Sequence, residues 1–79
     1  MAVFEYVVND GTNLRAGNIT AVTDGATVQY DESITTPSIG NTSDITMSVQ
    51  LIGSPGQLSL VATTVISTGW TVKTIVRTI

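Results

Sequence analysis

Asp44-Ile45-Thr46-Met47-Ser48-Val49-Gln50-Leu51 decides the fold: every odd position is apolar and every even position polar. A β-strand turns successive side chains to opposite faces, so this run buries one face and wets the other. The same two-residue rhythm, carried by Val, Ile and Thr, extends along most of the chain on both sides. Gly, Pro, Asn and Asp interrupt it at short intervals. Helix formers are thin, with no run of Ala, Glu, Lys, Leu and Gln longer than a few residues, so no helix is expected.

Outward from that run, the pattern predicts strands over 2–9, 14–23, 26–33, 44–52, 57–66 and 70–79. Asp10-Gly11 and Asp24-Gly25 suit turns that need positive φ, and Thr23-Asp24-Gly25-Ala26 predicts a two-residue type I′ hairpin. Gly17, inside the second strand, marks a bulge or a close backbone approach. In the third strand Ala26, Val28 and Tyr30 share one face, and Thr27, Gln29 and Asp31 the other. Residues 34–43 carry Pro37, Gly40 and many Ser, Thr and Asn, so they form the longest irregular connection. It is expected to cross between sheets, with Ile39 as an apolar anchor. Further turns are expected at Gly53-Ser54-Pro55-Gly56 and Ser67-Thr68-Gly69. Six short strands with a turn about every ten residues predict an all-β fold. The expected form is a compact six-stranded antiparallel β-sandwich or small barrel, jelly-roll-like, as one domain over residues 1–79.

A chain of 79 residues buries only about 60% of the surface it exposes when unfolded. Without Cys or His, neither disulfides nor the common zinc ligand sets can supplement that core. Oligomerisation remains. A composition of 42% hydrophobic and 11% charged residues gives a lean polar coat, which points the same way. So does the shortage of Lys and Pro for guarding strand edges. The net charge is −3, and the three cations, Arg15, Lys73 and Arg77, are too few to line a phosphate-binding groove. No apolar run reaches the roughly 18–20 residues of a membrane span. Met1-Ala2-Val3-Phe4-Glu5 has no basic leader and no long apolar stretch, so synthesis in the cytoplasm without a signal peptide is expected.

Catalysis is not expected. Ser-His-Asp and Cys-His arrangements need a His that the chain lacks. Asp31 and Glu32 are adjacent, so in a strand they point to opposite faces. With Asp24 or Asp44 they could build an oxygen-ligand calcium site if the fold gathered them, although solvated carboxylates are the simpler expectation. The glycines match no phosphate-binding pattern. Trp70 is expected as the main core anchor, an exposed ligand platform being the alternative. Lys73 and Arg77 are four apart on the last strand and share a face, either solvated or meeting an acidic partner. No catalytic, cofactor-binding or metal-binding residue is assigned, and no cofactor is expected.

Several stretches together resemble a small β module of tailed-bacteriophage structural proteins: Arg15-Ala16-Gly17, Ala21-Val22-Thr23-Asp24-Gly25, Tyr30-Asp31-Glu32 and Ile39-Gly40-Asn41-Thr42-Ser43. The likeness continues through Thr46-Met47-Ser48-Val49, Leu58-Ser59-Leu60-Val61-Ala62 and Gly69-Trp70-Thr71-Val72-Lys73-Thr74 with Arg77. Such modules end tail, fibre and head-associated proteins, whereas here the module follows its own Met1. The resemblance implies a non-enzymatic virion protein, a capsid decoration or fibre-type subunit. Its implied partners are copies of itself, with a trimer favoured, and a major capsid or tail protein, with neither nucleic acid nor membrane involved. A carbohydrate-binding or cell-surface-binding module of a receptor-binding fibre is the alternative, and an isolated sandwich without a partner is a third possibility.

Overall fold

The structure is a computed structural model, and it describes residues 1–34, 37–53, 56–65 and 69–78. Thr35, Thr36, the turn residues Ser54, Pro55, Ser67 and Thr68, and the expected strand ends at Ile66 and Ile79 lie outside these. Six antiparallel strands form: β1 (Ala2–Asn9), β2 (Leu14–Thr23), β3 (Val28–Ile34), β4 (Ile45–Ile52), β5 (Gln57–Thr64) and β6 (Thr71–Thr78). Four build one sheet in the order β3-β2-β1-β6, and β4 with β5 builds a second. The sheets share one apolar core without a ladder between them among the described residues, which makes the fold a sandwich, not a barrel.

The ladders decide which residues go inside. β1 is central, pairing Phe4 with Ile19 of β2 on one side and with Val76 of β6 on the other. Its even residues Ala2, Phe4, Tyr6 and Val8 are buried, as are Ile19 and Ala21 of β2. From β4 come Ile45, Met47 and Val49, the odd positions of the alternating run. Burying each of the larger side chains contributes about 1.5–3 kcal/mol, which makes this cluster the main source of cohesion.

Two strands cannot cover four. At about 4.8 Å per strand, β4 and β5 span about 10 Å against about 19 Å for the larger sheet. Every residue of β6 is therefore exposed, and so is every residue of β3 after Val28. The registers place Tyr30, Ile34, Val72 and Val76 on the core side. They nevertheless remain 45%, 50%, 37% and 50% exposed. The accessible surface is 5044 Å². A folded monomer of this mass is expected to show about 4,600 Å².

The hairpin between β2 and β3 forms as expected, but its loop is longer than a type I′ turn. Thr23 pairs with Val28, leaving Asp24 to Thr27 as a four-residue loop. The reason is the Asp24 side chain, whose Oδ1 accepts from the N–H groups of Ala26 and Thr27 at 2.9 and 2.8 Å. The β1–β2 loop is built alike, with Asp10 Oδ1 accepting from Thr12 and Asn13 at 2.9 and 2.7 Å. In both loops the glycine after the aspartate takes positive φ, 99° at Gly11 and 98° at Gly25. An aspartate that captures two backbone donors stabilises a wider turn than the sequence pair alone suggests.

Gly17 makes the close approach, since the β1–β2 register runs through it without a bulge. The Tyr6 side chain lies across it, and its hydroxyl donates to Glu32 on β3. β3 ends in one sheet and β4 begins in the other, so the connection between them does cross between sheets, as expected. Ile39 pins this crossing through its backbone, however: it exchanges two 2.9 Å hydrogen bonds with Leu14 while its side chain stays 63% exposed. A Cβ at Gly17 would lie 2.7 Å from the Tyr6 hydroxyl and 2.8 Å from the Ser33 carbonyl oxygen. Gly17→Ala should therefore destabilise the protein by about 1–3 kcal/mol, as overpacking does, measured by urea unfolding. Unchanged stability would contradict this packing.

Candidate functional site

The polar chemistry gathers at one end of the sandwich, and Arg15 organises it. Arg15 lies opposite Val8 in the ladder, on the core side of β2. Its guanidinium donates to the Thr42 carbonyl and hydroxyl at 3.1 and 3.3 Å and to the Ile45 carbonyl at 3.0 Å. It also stands 5.8 Å from the centre of the Tyr6 ring, in cation–π range. One side chain thus ties the four-stranded sheet to the start of β4. Burial, joined by the hydrogen bond to Glu32, raises the Tyr6 phenol above its ordinary pKa, and Arg15 opposes that shift only in part.

Beside this clamp lies an open cleft of about 470 Å³. It is lined by Asp10 and Asn13 of the β1–β2 loop, Asn41, Ser43 and Asp44 of the crossing, Val65 after β5, and Trp70 before β6. Each wall is fastened to another. Asn13 Oδ1 accepts from the Asn41 N–H at 2.9 Å. Asp44 Oδ2 accepts from the Trp70 indole N–H at 2.9 Å, and its Oδ1 from the Val65 N–H at 3.0 Å. Asn13 donates to Asp10 Oδ2 at 2.9 Å, and that bond, with the backbone donors of Asn13 and Thr12, holds the Asp10 carboxyl below its ordinary pKa. Asp10 is therefore ionised at neutral pH and can only accept hydrogen bonds. The cleft pairs an aromatic wall with acceptors and amides, which suits recognition of hydroxyl groups.

Trp70 is not the main core anchor. It is half-buried at the rim, packed against a core that β1 supplies, because it precedes an edge strand and its indole is drawn to Asp44. Asp31 and Glu32 do lie on opposite faces, and Lys73 and Arg77 do share the outer face. Arg77 pairs there with Glu5 at 3.0 Å, both side chains exposed. Asp24, Asp31, Glu32 and Asp44 are not gathered: no group of three potential metal ligands occurs among the described residues. The interior role of Arg15 and the convergence of Asp10, Asn13 and Asn41 went unread in the sequence. A signal for Arg15 existed, since it shares odd parity in β2 with buried Ile19 and Ala21. Nothing local signals the meeting of three separate loops.

The chain matches no known protein family, no characterised protein and no solved structure.

Asp10 and Asp24 both have lowered pKa values, Asp24 through the N–H groups of Thr27 and Ala26. Their stabilisation is complete above the ordinary carboxyl value of about 3.9 and is lost as pH falls below it. The raised Tyr6 phenol acts at the other end: its contribution is complete below about 10 and is lost as pH rises beyond that. The thermal midpoint should accordingly fall in both ranges. In a Tyr30→Phe background, the tyrosinate absorbance of Tyr6 should titrate above 10, and a midpoint at or below 10 would contradict the geometry.

Proposed function

We propose that this chain is a non-enzymatic structural subunit of a tailed-phage particle, a capsid decoration or fibre-type protein located in the virion. It works by burying apolar surface between copies of itself, with a trimer favoured, and against a major capsid or tail protein. One observation carries this reading: the smaller sheet leaves the core-side residues of β3 and β6 uncovered, among them Tyr30, Ile34, Val72 and Val76. Surface of this kind is stabilised when a second body covers it. The phage-like stretches supply the setting. The outer face adds an apolar groove of about 450 Å³ around Val7 and Ile75, bordered by Glu5 and Lys73, as further contact surface.

The end cleft favours a second reading, recognition of a carbohydrate or cell-surface ligand, because Trp70 stands there among Asp10, Asn13 and Asn41. A glycan array separates the two. Reproducible binding to a defined sugar, abolished by Trp70→Ala without loss of folding, would place ligand recognition first.

The structural reading predicts that light scattering gives a mass above 8.3 kDa that rises with concentration. The thermal midpoint should rise with it, since association stabilises by mass action. A concentration-independent monomer that ignores purified shell and tail proteins would overturn the reading.

A further inference from the structure

Resting on the self-association proposed above, we infer that the outer edge of β6 pairs with the outer edge of β3 of a second copy, head to tail. The four-stranded sheet then continues across the contact. Both edges are open, since β3 and β6 end the sheet and neither makes another backbone hydrogen bond among the described residues. Open edges carry unpaired N–H and C=O groups and act as templates for another strand. The four strands alternate in direction, so β3 and β6 run oppositely. A copy displaced sideways without being turned over therefore offers its β3 antiparallel to β6.

The backbone phase fits as well. Along an antiparallel strand, consecutive residues turn their hydrogen-bonding groups to alternate neighbours. Carried through the observed ladders, residues of the same parity are left facing outward on β3 and on β6, whichever set of β1 residues bonds β2. The even residues of both edge strands also share the core side. Pairing even with even therefore matches side-chain faces and hydrogen bonds together.

One register then suits both faces and uses all seven residues of β3. On the core side, Val72, Val76 and Thr78 meet Ile34, Tyr30 and Val28 of the second copy, and Thr74 meets its Glu32. On the outer side, Ile75 meets Asp31 of the second copy, which places that carboxylate diagonally between Lys73 and Arg77. Diagonal neighbours about 7–8 Å apart are within reach of long side chains. Sliding the register by two residues in either direction sets Glu32 against Val72 or Val76.

Charge selects the same arrangement. β3 carries Asp31 and Glu32 and no cation, β6 carries Lys73 and Arg77 and no acid, and β4 and β5 carry no charge. Pairing β6 with β6 would bring cations together, and β3 with β3 would bring acids together, which is unfavourable across a ladder. Only the unlike edges complement each other. A head-to-tail contact repeats around a ring when its rotation closes.

Cysteine cross-linking tests this in a chain that has no cysteine of its own. Asp31→Cys and Ile75→Cys chains, both altered at the exposed outer face, are mixed and treated with a short bis-maleimide. The expected product is the mixed dimer, with little cross-linking of either variant alone. In parallel, Asp31→Lys should weaken self-association about tenfold, and mixing it with a Lys73→Glu/Arg77→Glu chain should restore association between the two unlike chains. Cross-linking of Ile75→Cys to itself would overturn the head-to-tail pairing in favour of a two-fold one. Oligomers that form without any of these cross-links would overturn the edge pairing and leave the structural reading in place. A monomer at every concentration would overturn both.

Discussion

A two-stranded sheet lying on a four-stranded one is the constraint from which the rest of this structure follows. Strand spacing fixes the width of each layer, so only part of the larger sheet can be covered. The covered part is the core, where apolar side chains of β1 and β2 meet those of β4. The uncovered part is the two flanks, where residues with the right parity for burial face water. In a larger protein, further strands would close such flanks. Here the same geometry leaves open strand edges with opposite charge on either side of one sheet.

Arg15 shows how so small a core keeps its layers in register. An arginine on the core side of a strand is costly unless its donors are satisfied. Two of its nitrogens bond oxygens of Thr42 in the crossing and of Ile45 at the start of β4, and its guanidinium lies near the Tyr6 ring, while its buried Nε has no partner among the described residues. The arrangement fixes where the crossing chain enters the second sheet. Tyr6 contributes the opposite tie, passing over Gly17 to Glu32 on β3. Arg15 thus ties the two layers to each other, while Tyr6 braces the four-stranded sheet within itself.

The end cleft is made from turn chemistry. Asp10 shapes its own loop, Asn13 captures the crossing, and Asp44 joins the end of β5 to Trp70. Each group does structural work first and lines the cleft as a consequence. That places pre-ordered acceptors beside an aromatic ring, and gives the surface a feature distinct from its apolar flanks.

The alternating run at 44–51 determined its own strand and its buried face, because a period of two leaves no other assignment once one side is apolar. Composition likewise settled the absence of disulfides and of histidine chemistry. Asp-Gly pairs marked both loops; the first has its expected length, and the second is longer than the expected two-residue turn because Asp24 captures two N–H groups. Trp70 reads as a core residue because it stands at a strand start in a small domain, and only the packing puts it at the rim. The division into four and two strands, and with it the exposure of Tyr30, Ile34, Val72 and Val76, is written in no local pattern. Parity says which face a side chain takes, but whether anything covers that face depends on where distant strands come to rest.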